Sequence, residues 1–377
     1  MVNLVADLRG ERFAAAAMRE HEDALMGSGF ELVRYDRPAD ALLAWIDEKF
    51  GGAWSAETFA GKSVVAKRDG RFAAFAGYGA TGLKYRWLHG WRDTHDTGIF
   101  GPFGVDPEFR RAGLGAHILH LALGALRAGG LRRALIPAVG GESLIRYYMR
   151  ESGATIADEF DLANFTSKPV RTTVLVSGNG TNFQAVIDAI SAEKLPLDLA
   201  ALVSNDREAY ALKRAETAHV PVRLTVQWDR AAEPRAEYDA RLAQCVEETA
   251  PELVLLLGWM HLLAPQFVRR FREAINIHPA FLPHDQSRDI VGLSDGSEMS
   301  AFRGAHAVRD ALAAGSRWVG ATAHRVTAGT DRGPVLVRKP VAVAAGWTQA
   351  EVMQRLRPVE HAVLLGGIRR WLLEREG

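Results

Sequence analysis

The stretch Ile275-Asn276-Ile277-His278-Pro279-Ala280-Phe281-Leu282-Pro283 decides how the second half of this chain is read. It begins as a strand, and in an extended chain residues two apart share a face. Asn276 and His278 therefore project from one side, and Pro279 follows at once. A lone histidine at a strand end is most often a satisfied structural residue. An amide and an imidazole side by side before a proline is a rarer arrangement. Working outward, strands are expected at 173–176, 199–203, 253–257 and 274–277, with helices between them such as 182–192 and 236–249. Regular strand–helix alternation predicts an α/β fold with a doubly wound, Rossmann-like, mostly parallel sheet. Ligands of such sheets sit beyond the carboxyl ends of the strands.

Two other strand ends carry chemistry. After the first strand comes Ser177-Gly178-Asn179-Gly180-Thr181-Asn182 and then a helix. Glycines let the backbone approach a ligand and a helix N-terminus attracts anions, so a phosphate site and an ordinary tight turn both fit. Later the chain reads Gly320-Ala321-Thr322-Ala323-His324-Arg325-Val326 and then Asp331-Arg332-Gly333-Pro334. An aspartate before Gly-Pro is by itself most often a turn former.

With 377 residues, two domains are expected. The 48% hydrophobic content suffices for real cores, and a formal net charge of +1 leaves no electrostatic footprint for nucleic acid or a membrane surface. Cys245 is the single cysteine, which excludes an internal disulfide and a cysteine-based zinc site. A reducing, cytoplasmic compartment is expected. Residues 1–7 lack the basic start and apolar run of a signal peptide. The apolar stretch 253–268 is too short to span a membrane.

The first half has a different pattern. A charged, helical opening is expected to about residue 60. Strands at 63–67 and 71–75 then flank Asp69-Gly70, a hairpin signal. A strand at 98–105, a helix at 113–128 and a strand at 133–139 follow. The polar Thr166-Ser167-Lys168-Pro169 marks the junction. The expected plan is a mixed αβ domain at 1–165, a linker at 166–171 and the doubly wound domain at 172–377.

From Thr172 onward the chain resembles the glycinamide ribonucleotide formyltransferase family. The matching stretches are SGNGTNFQAVIDA, VSND, LGWMHLLAP, INIHPAFLP, TAHRVTAGTDRGPVL and VEHA, in order over about 200 residues. The resemblance implies formyl transfer from 10-formyltetrahydrofolate to a primary amine of a small metabolite, with Asn276, His278 and Asp331 as the catalytic trio. It implies that Leu257, Met260, His261, Leu262, Val326 and Thr327 border the folate. It further implies that Gly180, Thr181 and Asn182 take a phosphate and that Glu360 takes ribose hydroxyls. The chemistry agrees. Amine attack on a formyl carbon makes an oxyanion, which needs aimed donors and a group to accept a proton. No metal is expected. The chain departs from the family at Ala280, where serine is usual, and at His261, where a basic residue is usual. It also carries 18 residues at 284–301 where the family has one or two. Few of these are apolar, so a mobile surface lid that selects the amine is expected.

In the first half, Gly104-Val105-Asp106-Pro107-Glu108-Phe109-Arg110-Arg111-Ala112-Gly113-Leu114-Gly115-Ala116 resembles the coenzyme A loop of GCN5-related N-acetyltransferases (GNAT). Arg-x-x-Gly-x-Gly at a helix N-terminus offers consecutive amides to a pyrophosphate. The resemblance implies an acyl-CoA site at Val105, Arg110, Arg111, Ala112, Gly113, Gly115 and Ala116, with acetyl-CoA or another acyl-CoA as donor. The family's usual catalytic tyrosine would fall at Met149, while Tyr147 and Tyr148 are off register. Two readings follow. The chain is a bifunctional formyl- and acyltransferase. Alternatively, it formylates an amine or hydrazine of a specialised metabolite and the first domain is a silent binding or scaffold module. Whether it forms a homo-oligomer is left open.

Overall fold

The computed structural model describes residues 1–91, 94–110 and 113–375. The chain forms two compact units. One holds Met1–Phe165, Gly292–Ser297 and Leu373–Gly377, and the other holds Thr166–Val291 and Glu298–Leu372.

The first unit is built on seven strands: β1 (Val2–Asp7), β2 (Glu31–Tyr35), β3 (Lys62–Arg68), β4 (Arg71–Tyr78), β5 (Thr97–Val105), β6 (Arg133–Val139) and β7 (Thr155–Glu159). Their order in the sheet is β2-β3-β4-β5-β6-β1-β7. Helices α1 (Ala15–Gly27), α2 (Asp40–Lys49), α3 (Trp54–Phe59), α4 (Leu114–Ala128) and α5 (Glu142–Ser152) cover it. The opening is not purely helical as expected. β1 lies inside the sheet, antiparallel to both β6 and β7. Val2, Asn3, Leu4 and Ala6 are all buried, so the strand shows no alternation to read. The amide of Asn3 is satisfied by donating to the carbonyl of Trp87 at 2.9 Å and accepting from the N–H of Ala138 at 3.0 Å. β5 and β6 pair in parallel only from Thr97↔Arg133 to Ile99↔Leu135. Both strands run on, to Val105 and Val139, and so diverge into an open wedge.

A single helical turn, α6 (Ala163–Thr166), leads to the second sheet. Its strands are β8 (Val170–Val176), β9 (Leu197–Ser204), β10 (Val222–Thr225), β11 (Leu253–Leu256), β12 (Ala274–His278), β15 (Trp318–Arg325) and β16 (Val335–Ala342), in the order β10-β9-β8-β11-β12-β15-β16. β8 to β12 are mutually parallel, and β15 and β16 add antiparallel. The central strands are valine-, leucine- and isoleucine-rich and buried on both faces, as helix-covered parallel strands must be. The covering helices are α7 (Thr181–Ser191), α8 (Tyr210–Thr217), α9 (Arg235–Glu247), α10 (Pro265–Arg270), α11 (Ala307–Ala313) and the 26-residue α12 (Gln349–Glu374).

Segment 284–301 is not the loosely held loop expected from its composition. It forms a short hairpin, β13 (Ile290–Gly292) with β14 (Glu298–Ser300). His284, Val291, Leu293 and Met299 are buried. Two arginines outside it tie it down. Arg332 donates to the carbonyl of Gln286 at 2.7 Å and to the Asp289 carboxylate at 2.5 Å, and Arg303 donates to the carbonyl of Arg288 at 2.8 Å. Among the described residues no helix is long and apolar enough to cross a membrane.

Candidate functional site

β12 and β15 are antiparallel neighbours, with Asn276 opposite His324 and His278 opposite Thr322. That register gathers a polar cluster at the end of β12. The amide nitrogen of Asn276 donates to Asp331 Oδ1 at 3.2 Å and to His324 Nε2 at 3.1 Å. His324 Nδ1 faces the carbonyl of Arg325 at 2.9 Å. A carbonyl only accepts, so Nδ1 carries the proton and Nε2 is the acceptor for Asn276. His278 presents Nδ1 to Asp331 Oδ2 at 3.5 Å and gives its Nε2–H to the carbonyl of Phe302 at 2.7 Å. Asp331 Oδ2 also accepts from the N–H of Gly304 at 2.8 Å, and Arg303 donates to the Asp331 carbonyl.

The turn carrying Asp331 is sterically dictated. A Cβ on Gly333 would lie 1.6 Å from the carbonyl oxygen of Arg325, so only glycine lets the chain turn this tightly under β15. Asp331 itself adopts φ 51°. Burial pushes the His278 imidazole below its usual value, against the pull of the Asp331 carboxylate and the Phe302 carbonyl. Burial would raise Asp331. The His324 imidazole 3.5 Å away, the His278 imidazole and the Gly304 amide outweigh it and hold the carboxyl well below the usual range.

The three residues expected to act together thus lie together. A fourth residue, His324, joins them. Nothing in its spacing marks it, because a strand residue's cross-strand partner is set by tertiary register.

A cavity of about 360 Å³ opens beyond β8 and β11, lined by Gly178, Gly180, Thr181, Asn182, Leu257, Arg357 and Glu360 among others. All four residues expected to hold the substrate are in it. Gly180 caps α7 at φ 72°, and a Cβ there would lie 2.7 Å from that of Ala211. Burial raises the Glu360 carboxyl to about 7, opposed by its hydrogen bond with Asn182 and by Arg357. The other amide atom of Asn182, Oδ1, is buried without a partner among the described residues.

Of the residues expected to border folate, Leu257 lines this cavity. Met260 and Leu262 are exposed on the following loop, and the phenol of Tyr238 pairs with His261 Nδ1 at 3.0 Å. Val326 packs on the same apolar cluster as Trp259 and Leu263. Thr327 follows it, half-buried, its hydroxyl 3.4 Å from the carbonyl of Gly329.

In the first unit the β5/β6 wedge is the mouth of a cavity of about 840 Å³. Val105, Arg110, Gly113, Gly115 and Ala116 line it, whereas Arg111 and Ala112 lie outside the described residues. Tyr147 and Tyr148 both line it despite their register. Burial raises the Tyr147 phenol to about 12 and Tyr148 higher still, so both stay protonated. Trp54, Glu57, Tyr85 and Trp87, which no motif marks, line it too.

The second unit thus carries a buried amide–imidazole–carboxylate cluster at the end of β12 and a glycine-turn cavity beyond β8 and β11. Residues 170–368 match the Formyl transferase family, and the chain belongs to it. Residues 30–154 match the Acetyltransferase (GNAT) family. The second half is similar to phosphoribosylglycinamide formyltransferase of Escherichia coli K12, at 34% identity over 191 residues, which is 50% of this chain and 81% of that protein. It is 35% identical to the Mycobacterium tuberculosis H37Rv protein of the same name over 203 residues, 54% of this chain and 85% of that one. Glycinamide ribonucleotide transformylase 1 from Symbiobacterium toebii superimposes with a TM-score of 0.47 at 34% identity, over 54% of this chain and 88% of that structure.

Proposed function

We propose that the second unit transfers a formyl group from 10-formyltetrahydrofolate to the primary amine of a phosphorylated small metabolite, glycinamide ribonucleotide or a close relative. The observation that carries this is the cavity where the amides of the 178–182 turn face Glu360 and Arg357. Backbone amides at a helix N-terminus suit a phosphate, and the partnerless Asn182 Oδ1 suits a donor on the ligand. Glu360, with its raised pKa, can accept from or donate to a hydroxyl pair.

The amine attacks the formyl carbon, a C–N bond forms, and negative charge gathers on the formyl oxygen. Asn276 and His278 supply N–H donors toward that oxygen once the bond from His278 to Phe302 opens. Asp331, held as a carboxylate, opposes the burial that lowers His278 and accepts the amine's proton through water. The bond between the folate nitrogen and the formyl carbon then breaks, and that nitrogen leaves with a proton.

The first unit acts as an acyl-CoA-dependent N-acyltransferase, with the donor's pyrophosphate on the amides around Gly113 to Ala116 and its thioester arm in the wedge between β5 and β6. Purified full-length protein given 10-formyltetrahydrofolate and glycinamide ribonucleotide should release tetrahydrofolate and form the N-formyl product. Turnover with an unphosphorylated amine or a hydrazine, but none with glycinamide ribonucleotide, would refute this choice of acceptor.

A further inference from the structure

The two cavities differ in chemistry. The cavity of the second unit is lined by glycines, Asn179, Thr181, Asn182, Arg357 and Glu360. That of the first is walled, besides the Arg110–Ala116 turn, by Phe50, Trp54, Tyr85, Trp87, Phe100 and Phe103. One carboxylate stands in this aromatic wall. Glu57 lies one turn after Trp54 on α3, and the phenol of Tyr85 donates to its Oε1 at 2.5 Å. Trp87 stacks on Tyr85 with centroids 4.4 Å apart, and Trp54 stacks on Phe50 at 5.3 Å. The other charged lining residues among those described are elsewhere. Arg110 belongs to the strand–helix turn, and Arg150 and Glu151 on α5 pair with each other at 2.7 Å.

Resting on the reading of the first unit as an acyl-CoA-dependent transferase, we infer that its acceptor is a primary amine on an apolar, aromatic or branched body, held by Glu57. The two halves then acylate different molecules. A carboxylate beside aromatic faces attracts an ammonium ion twice, by charge and by the ring quadrupoles. The apolar body is desolvated against the rings. A phosphorylated amine is disfavoured there, because its phosphate would enter a wall whose charged group is also negative.

Glu57 takes a proton from the bound ammonium, and the free amine attacks the thioester carbonyl. A C–N bond forms, the C–S bond breaks, the second amine proton passes to solvent, and the thiolate leaves and is protonated by water. The volume fits this division. About 840 Å³ exceeds what a pantetheine arm and an acetyl group need, within the usual range of about 300–1,000 Å³ for whole ligand sites.

The test uses the full chain with acetyl-CoA, reading thiol release with 2-phenylethylamine and with glycinamide ribonucleotide, and acetyl-CoA binding by calorimetry. We expect kcat/KM for 2-phenylethylamine to exceed that for the ribonucleotide by about 10²-fold or more. Glu57→Gln should lower kcat/KM for 2-phenylethylamine by about 10²-fold with acetyl-CoA affinity unchanged. Trp54→Ala should raise KM more than it lowers kcat, and Tyr85→Phe serves as a second, milder variant at the carboxylate. If acetyl-CoA binds but the ribonucleotide is the better acceptor, or no apolar amine reacts, the inference is overturned. So it is if Glu57→Gln and Tyr85→Phe both react like wild type. If acetyl-CoA does not bind at all, the transferase reading of the first unit falls, and this inference with it.

Discussion

His278 gives its Nε2–H to the main-chain carbonyl of Phe302 at 2.7 Å, so the imidazole at the end of β12 is tied to the residue that follows segment 284–301. On the proposed mechanism that bond occupies the donor meant for the formyl oxygen and opens during turnover. His278→Ala should reduce kcat for formyl transfer by about 10²-fold or more, as loss of an oxyanion donor does. Circular dichroism should show the fold retained. A near wild-type rate in this variant would remove His278 from the reaction.

Asp331 is the hub of the cluster, touching Asn276, His278, His324 and the Gly304 amide. Asp331→Asn should lower kcat by about 10²-fold. It should also change the pH dependence of stability. The folded-state pKa lies below the ordinary aspartate value, so the stabilisation is present above that value and is lost as pH falls through the folded one. The variant should lack this contribution at neutral pH, and its Tm should fall less than that of the wild type on acidification below pH 4. Parallel Tm–pH curves for the two proteins would show that Asp331 has no such coupling.

His324→Phe removes the acceptor for one N–H of Asn276 while keeping the ring volume. An amide hydrogen freed inside a buried cluster turns toward the carboxylate or rotates away. Formyl transfer should fall about 10-fold, mainly in kcat, because a positioning contact rather than a reacting group is lost. A change confined to KM would place His324 in ligand binding instead.

What the sequence disclosed follows from what was local. Asn276 and His278 could be paired because strand periodicity puts them on one face. The 178–182 turn could be singled out because its glycines and the helix after it are adjacent in sequence, although alone they fit a tight turn as well as a phosphate site. Asp331 is held by a turn whose glycine fits under the carbonyl of Arg325, and this is visible only with β15 in place. His324 meets Asn276 through sheet register, and Glu57 meets Tyr85 across 28 residues of chain, so neither pair leaves a spacing to count. β1 escaped because both its faces are covered. Segment 284–301 was misjudged because Val291, Leu293 and Met299, among its few apolar residues, are buried in a hairpin and its backbone is held by Arg332 and Arg303.

Glu360 offers a second titration test. Its folded-state pKa is raised from 4.5 to about 7 by burial. Between those values the folded chain binds more protons than the unfolded chain, so this residue's contribution is fully present below pH 4.5 and is lost as pH rises to about 7. Glu360→Gln, which is neutral at every pH, should gain stability relative to wild type at pH 8, by up to about 3 kcal/mol. The gain should vanish near pH 4. Substrate affinity should fall in the same variant, since a glutamine offers one acceptor where the carboxylate offers two. A stability difference that does not vary between pH 4 and pH 8 would mean that Glu360 titrates normally.

Two arginines flank Asp331, Arg332 next to it in sequence and Arg303 on its carbonyl. Arg332 holds the carbonyl of Gln286 and the Asp289 carboxylate, and Arg303 holds the carbonyls of Arg288 and Asp331. The base of segment 284–301 is thus pinned to the turn that carries the carboxylate, and its hairpin buries Val291 and Met299. A free lid would be removable at little cost, but a pinned and partly buried one is not. Replacing 284–301 by a two-residue link should lower Tm by several degrees, on the order of what a core truncation costs. It should also lower formyl transfer with every amine, because Phe302 and Arg303 lose their support. Asp289→Ala separates the two effects. It removes the acceptor shared by both arginines at a largely exposed position, so Tm should barely move while kcat falls a few-fold through a looser Asp331 turn. If the shortened chain keeps wild-type Tm and kcat, the segment is a dispensable extension. If Asp289→Ala leaves kcat intact, the pinning does not reach Asp331.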